Sequence, residues 1–411
     1  MDLLLQKPTA AIDAIIRLDG SKSIANRALI IQALCEQPFQ INDIAKAKDT
    51  QLLQKALRSN EQEINIGHAG TAMRFLTSYY AIQTNRTTIL SGSDRMHNRP
   101  IAVLVDALRK LGAEIEYIEK EGFPPLKIKG KQLIQNKITI TADVSSQYIS
   151  SLCMIAPFLE NGLSIELDGE LVSRPYIKLT LELMAYFDIS YTFEEQSIHI
   201  PSQKYQAKNI SIEADWTAAS YYFSIVALAA NSKIKLQGLQ EHSLQGDSIL
   251  TSMMELLQVK STFANGSWSL SNSKQAVNNF FKFDFVKCPD LAQSLVCAAA
   301  GLGIDAEFAS LQTLKIKETD RTAALQQELQ KFNIPFNFKD THTWILKMPY
   351  ALNPALQYSI DTYDDHRMAM AFAPLALKSN GIIIRDAEVV EKSYPAFYDD
   401  FEKLGFKISK V

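Results

Sequence analysis

Cysteine is scarce in this 411-residue chain. The four such residues, Cys35, Cys153, Cys288 and Cys297, lie far apart, form no Cys-x-x-Cys pair, and three of them sit in apolar runs. Cysteines so placed act as small buried hydrophobes, which points to a reduced, cytoplasmic protein. Long hydrophobic runs are missing too. The longest nearly uncharged segments, 216–230 and 291–304, are interrupted by Ser, Thr, Gln or Gly. Both fall short of the roughly 20 apolar residues that span a bilayer. The stretch from Met1 to Pro8 has no basic start followed by an apolar run and a small-residue cleavage site, so no secretion signal is read there. Neither sign of charge dominates: 42 Lys and Arg stand against 45 Asp and Glu, a net charge of −3. No bulk positive field announces a nucleic acid, and any bound anion must be met by local cations. With 16 Gly and 14 Pro, collagen-like and linker-rich chains are excluded. A content of 47% hydrophobic and 21% charged residues describes an ordinary soluble globular protein. The length is too great for one compact core and implies two or three domains.

What is present is a repeat. Two kinds of helix-like segment alternate along the chain. One opens on a small or acidic residue and runs through Ala and bulky apolar residues, as at Thr71, Ser146, Asp215, Asp290 and Asp365. The other is amphipathic and leads toward a strand, as at Pro100, Pro175, Asp247, Asp320 and Pro395. Asp215, Asp290 and Asp365 are 75 residues apart, as are Pro100 and Pro175, and Asp320 and Pro395. With 26–34 and 49–57 as a first pair, six helix pairs cover the chain. Alternating segments such as 137–141, 163–167, 233–236 and 381–385 read as half-buried strands. Pro or Asp suits the first turn of the helices. Six mixed α/β modules divide naturally into two lobes of three. The first is short, because only 18 residues separate Asp49 from Gly67.

Polar clusters stand at the starts of these helices, where free N–H groups and the macrodipole favour anions. Gly20-Ser-Lys-Ser-Ile-Ala-Asn-Arg27 joins a glycine, two hydroxyls and two cations, without the spacing of a nucleotide-binding P-loop. Gly67-His-Ala-Gly-Thr-Ala-Met-Arg74 carries two glycines that allow close approach of a ligand. Arg95-Met-His-Asn-Arg-Pro100 offers two arginines suited to carboxylate or phosphate. Ser145-Ser-Gln147, Lys315-Ile-Lys-Glu-Thr-Asp-Arg321 and Asp364-Asp-His-Arg-Met368 complete the set. Each alone also fits a capped helix with solvated charges. Together, at equivalent points of repeated modules, they suggest anionic groups gathered by convergent cations.

Those clusters, in order, carry a resemblance. Gly20 to Arg27, Ala69 to Arg74, Arg95 to Pro100, Val144 to Gln147, Ser173 to Tyr176, Lys317 to Arg321, Asp365 to Met370 and Glu391 to Pro395 resemble the 5-enolpyruvylshikimate-3-phosphate synthase family of enolpyruvyl transferases. The matches cover nearly the whole chain. The resemblance implies a two-lobed, inside-out α/β barrel of six βαβαββ repeats, three per lobe, the first shortened here. Residues 1–19 and 213–411 would form one lobe and 20–212 the other, with the active site in the cleft between them. It also implies that no metal or organic cofactor is used. Apart from the resemblance, a monomer is the default expectation, because nothing in the sequence demands a partner chain. The charge balance and the short apolar runs lead to no expectation of a nucleic-acid or membrane partner.

The implied reaction transfers the enolpyruvyl group of phosphoenolpyruvate to the 5-hydroxyl of shikimate 3-phosphate. By the same resemblance, Lys22, Ser23, Arg27, Ser145, Ser146, Gln147, Ser173, Tyr176, Asp290 and Lys317 would surround shikimate 3-phosphate. Lys22, Gly70, Arg99, Gln147, Arg321, Arg367 and Lys392 would hold phosphoenolpyruvate. Asp290 would be the base, Glu318 the acid, and Lys22 and His366 supporting groups. At its repeat position Asp290 is also expected to cap a helix, and His366 reads either as an oriented buried histidine or as a proton carrier. Two other readings stand beside this one. The first is the related transferase that acts on UDP-N-acetylglucosamine, which resemblance associates with a reactive loop cysteine. The second is a non-catalytic protein that binds anions or RNA ends on the same module.

Overall fold

The computed structural model describes residues 1–141, 145–169, 171, 173–272 and 280–411. The chain forms two compact units, one of Met1–Asp19 with Glu213–Val411 (the terminal unit) and one of Gly20–Ile212 (the inserted unit), each with its own hydrophobic core.

Twelve α-helices are present among the described residues. The inserted unit holds α1 (Lys22–Leu34), α2 (Lys48–Arg58), α3 (Gly70–Ala81), α4 (Ala102–Lys110), α5 (Ser146–Ile155) and α6 (Arg174–Tyr186). The terminal unit holds α7 (Trp216–Leu228), α8 (Leu250–Glu255), α9 (Ala292–Leu302), α10 (Arg321–Lys331), α11 (His366–Phe372) and α12 (Phe397–Lys403). These are the six alternating pairs that the 75-residue spacing implies.

Odd-numbered helices are apolar nearly all round, and such helices must be buried. Almost every residue of α7 and α9 is buried; α9 packs against α7 and α11, while α3 packs against α5 and α1. Strands, by contrast, alternate buried and exposed residues, as in Lys137–Thr141 and Leu126–Lys129. Each sheet therefore covers helices with one face and meets water with the other. Helices inside and sheets outside is the inverse of an ordinary α/β barrel.

Among the described residues, five sheets have four strands in one pattern: a parallel pair, then two antiparallel partners. The sheet ordered Glu63–Asn65, Thr87–Ser91, Leu126–Lys129, Glu114–Tyr117 is typical, with Ile64 opposite Leu90 and Leu90 opposite Leu126. The remaining sheet has two parallel strands, Ile41–Asn42 and Ile210–Ser211, and belongs to the shortened first module. Two sheets borrow strands from the chain start. Asp13–Arg17 pairs in parallel with Lys233–Gln237. Leu3–Gln6 lies between Ile382–Ile384 and Lys407–Lys410, antiparallel to both.

That inserted strand anchors the last module through Leu5, which is fully buried. Leu5→Ala is expected to lower stability by about 2–5 kcal/mol, the usual cost of emptying a tight core site. Urea denaturation measures this, and a loss well under 1 kcal/mol would show that the strand is not integral.

Candidate active site

In the inserted unit, Gly20 brings the chain into α1 against Asp43 and Ile212; a Cβ there would lie 2.1 Å from the Asp43 carbonyl, so only glycine fits. Lys22 opens α1, and its Nζ stands 3.2 Å from Oδ2 of Asp49 in the first turn of α2. One turn further, Arg27 is 2% exposed. Its Nε donates to Thr180 (2.6 Å), Nη1 to the Ser23 carbonyl (2.8 Å), and Nη2 to Ser150 (3.3 Å) and the Tyr176 carbonyl (3.4 Å). Burial lowers its pKa to about 10, still far above neutrality.

Two guanidinium groups converge on the start of α3. Arg74 Nη1 donates to the Gly70 carbonyl at 2.9 Å, and a Cβ on Gly70 would fall 2.4 Å from Arg99 Nη1 and 2.7 Å from Arg74 Nη1. Gln147, in the first turn of α5, reaches Thr71 Oγ1 at 3.2 Å, and Tyr148 donates to the Pro100 carbonyl at 2.6 Å. Gly70, Arg99 and Gln147 are thus brought together by the starts of α3 and α5. Ser145 caps α5 by accepting from the Gln147 N–H, with the largely buried Ser146 beside it. Val144, quoted with them, lies outside the described residues. Ser173 precedes α6 in the left-handed region (φ 57°), and its carbonyl accepts from the Tyr176 N–H.

The terminal unit gathers charges of both signs around Arg321. This residue opens α10 behind the capping Asp320, and its side chain is 2% exposed. Nε donates to Asp365 Oδ2 (2.7 Å), Nη1 to Asp290 Oδ1 (3.1 Å), and Nη2 to Glu318 Oε2 (2.9 Å) and Asp365 Oδ1 (3.4 Å). Asp290 also meets Arg367 Nη2 at 2.9 Å and Lys317 Nζ at 3.9 Å, and Glu318 meets Lys392 Nζ at 3.0 Å. Asp365 caps α11 through the Arg367 N–H.

These contacts set the charge states. Burial works against the charge of Arg321, but Asp365, Glu318 and Asp290 outweigh it and hold the guanidinium above its ordinary value. Burial alone would likewise raise Asp290, yet Arg367, Lys317 and Arg321 hold it well below the usual carboxylate range. Asp247, bonded to the Thr217 hydroxyl, is pushed up to about 7 by burial and by the charge of Asp290.

A family model described as EPSP synthase (3-phosphoshikimate 1-carboxyvinyltransferase) matches residues 6–63 and 57–401. The 3-phosphoshikimate 1-carboxyvinyltransferase of Bacteroides fragilis (strain YCH46) is 45% identical over 409 residues, covering 99% of each chain. The chain belongs to the EPSP synthase family. The Haemophilus influenzae (strain PittGG) protein of the same description is 32% identical, over 99% of this chain and 100% of that one. Among solved structures, EPSP synthase from Acinetobacter baumannii has a TM-score of 0.80 at 18% identity with full coverage of both chains. The enolpyruvyl transferase NikO from Streptomyces tendae has 0.72 at 12%, covering 100% of this chain and 99% of that one. These two likenesses speak for the fold.

In this EPSP synthase family member one expectation is corrected and several side chains find partners that the sequence does not specify. Asp290 does not open a helix as Asp215 and Asp365 do: it sits in a 3-10 turn, Pro289–Leu291, and its carboxylate is turned to three cations. Arg27 and Arg321 are largely committed to protein acceptors. His366 is 1% exposed, with Nδ1 3.7 Å from Asp365. In the sequence Asp49 and Asp247 read only as helix starts and not as members of the charged groupings, and Asp365, read in its cluster, is not read as a partner of Arg321.

Because the pKa of Asp290 is depressed, its contribution to stability is present above the ordinary value of 3.8 and lost only as pH falls through its lower folded value. Removing Arg321 weakens that hold and leaves Asp365 buried without its guanidinium. Arg321→Met is expected to cost about 3–5 kcal/mol at neutral pH, with the deficit narrowing in acid as the carboxylates protonate. Urea denaturation at pH 7 and near pH 3 tests this, and a deficit that grew in acid would contradict the charge assignment.

Proposed function

We propose that the chain transfers the enolpyruvyl group of phosphoenolpyruvate to the 5-hydroxyl of shikimate 3-phosphate, releasing inorganic phosphate. Family membership supports the reaction class. The observation that carries the chemical reading is that one buried guanidinium, Arg321, holds Asp290 at 3.1 Å and Glu318 at 2.9 Å. A base and an acid are thereby fixed side by side among cations.

In the addition step, Asp290 takes the proton of the 5-hydroxyl as its oxygen bonds to C2 of phosphoenolpyruvate, and Glu318 gives a proton to the methylene carbon. The product of this step is a tetrahedral intermediate that carries both substrates. Elimination reverses the proton traffic: a methyl proton leaves, the enol double bond re-forms, and the phosphate departs with its bonding electrons. Lys22 and His366 are assigned as supporting groups that offset charge on the bridging and leaving oxygens. Two phosphorylated substrates repel each other, so the cations contribute most where negative charge concentrates.

For shikimate 3-phosphate the proposed contacts are Lys22, Ser23, Ser145, Ser146, Gln147, Ser173, Tyr176, Asp290 and Lys317. Phosphoenolpyruvate is assigned to Lys22, Gly70, Arg99, Gln147, Arg367 and Lys392. Arg27 and Arg321, each with four of its five N–H groups on protein oxygens, are assigned to positioning instead. Three of the four cysteines give no support to the reading that relies on a reactive cysteine. Burial pushes the Cys153 thiol up to about 12 and raises Cys288 and Cys297 as well, whereas a nucleophilic thiol is a depressed one.

Phosphate release from a mixture of the two substrates tests the activity directly, with UDP-N-acetylglucosamine as the competing acceptor. Asp290→Asn and Glu318→Gln are expected to lower kcat by two or more orders of magnitude, the usual scale for losing a general base or acid. Near-normal turnover in both would overturn the roles. A Cβ at Gly70 would displace Arg99, so Gly70→Ala is expected to raise KM for phosphoenolpyruvate several-fold more than it lowers kcat.

A further inference from the structure

The cations of the terminal unit come with counter-ions of their own. Arg367 lies 2.9 Å from Asp290, and Lys392 lies 3.0 Å from Glu318. The cluster of Lys317, Arg321, Arg367 and Lys392 is set against Asp290, Glu318 and Asp365, which leaves a surplus of one positive charge with Asp247 neutral and none with it ionised. A substrate with a carboxylate and a phosphate brings at least two negative charges. Such an anion cannot simply be added to this cluster without leaving buried carboxylates beside it uncompensated.

We propose that anions bind this unit by counter-ion exchange: the incoming phosphate or carboxylate takes Arg367 and Lys392 from Asp290 and Glu318. This rests on the function proposed above and deepens it. Exposure selects the cations that exchange. Arg367 and Lys392 side chains are 12% and 13% exposed, whereas that of Arg321 is 2% exposed and tied to three carboxylates. Arg321 therefore stays with its partners and keeps Asp290 and Glu318 in place while their second cations leave. A carboxylate that loses a cation holds a proton more readily. The base and the acid are thus released for proton transfer by the arrival of the substrate.

Inorganic phosphate is the probe, titrated calorimetrically into the full chain and into Glu318→Gln and Asp290→Asn. Each substitution removes a competitor for a cation, so each variant is expected to bind phosphate about tenfold more tightly than wild type, the scale of one charge-assisted hydrogen bond. Phosphate is also expected to raise the melting temperature of the variants further than that of wild type. Glu307→Gln, which removes a carboxylate paired with Lys282 and Lys339, should leave phosphate affinity unchanged. A gain in one variant alone assigns the exchange to that carboxylate's cation. Equal or weaker phosphate binding in both variants overturns the proposal. The two readings fail separately. A wild-type chain that turns over while neither variant gains affinity loses only the exchange. One that releases no phosphate from the two substrates loses the catalytic reading, while the affinity comparison still reports on the cations.

Discussion

A guanidinium with almost no access to water must have its donors met inside the protein, and at Arg321 they are met by buried counter-ions. Arg321 draws its counter-ions from three places in the chain: the turn before α9, the residue three before it, and the cap of α11. Much of the terminal unit's design follows from this requirement. Asp290 and Asp365 occupy the same position of a 75-residue module, so the repeat that builds the core also delivers two carboxylates to one guanidinium. Their roles diverge through one local change. At α11 the aspartate spends an oxygen on capping, whereas the 3-10 turn Pro289–Leu291 separates Asp290 from its helix and leaves both oxygens for cations.

The inserted unit compensates a buried guanidinium differently. Arg27 is met by hydroxyls and backbone carbonyls from α1, α5 and α6, not by carboxylates. Neutral acceptors satisfy the donors without cancelling the charge, so the positive field of Arg27 survives burial. Arg99 and Arg74 crowd the start of α3, where a glycine leaves room for them, and a helix start adds its own positive end. One unit therefore carries charge already balanced, with an acid and a base built into the balance. The other carries cations whose charge is less fully offset.

Much of this was legible in the sequence because repetition is a long-range signal that survives weak local propensities. The spacing of Asp215, Asp290 and Asp365 specifies the helix pairs, and alternation in 137–141 or 233–236 specifies strands facing water on one side. The clusters at helix starts were legible as well, since glycine, hydroxyl and cation in sequence have few other uses together. Partners were not. Nothing in the residues around Asp49 says that its carboxylate faces Lys22, or around Asp247 that it is buried beneath Thr217; those contacts are made by the packing of the two helices of one module against each other. Side-chain commitment was equally hidden. Arg27 and Arg99 look alike in their motifs, yet one is tied to four protein oxygens and the other stands against a glycine.

The balance within the terminal unit also bears on how protons and anions influence each other. Asp290 is held ionised by Arg367, Lys317 and Arg321, which makes it a poor proton acceptor for as long as those cations remain. Any event that draws cations away from Asp290 improves it as a proton acceptor, and linkage makes the relation reciprocal: if a bound anion strengthens proton binding there by some factor, a bound proton strengthens anion binding by the same factor. Asp247, held near neutrality by burial and by Asp290, lies inside the same coupling, because its proton decides whether Asp290 faces a like charge. The buried cluster therefore acts as one unit in which charge entering with the substrate and protons moving during the reaction are settled against each other. That coupling follows from placing Asp290 and Glu318 on cations of which one, Arg321, is a partner common to both.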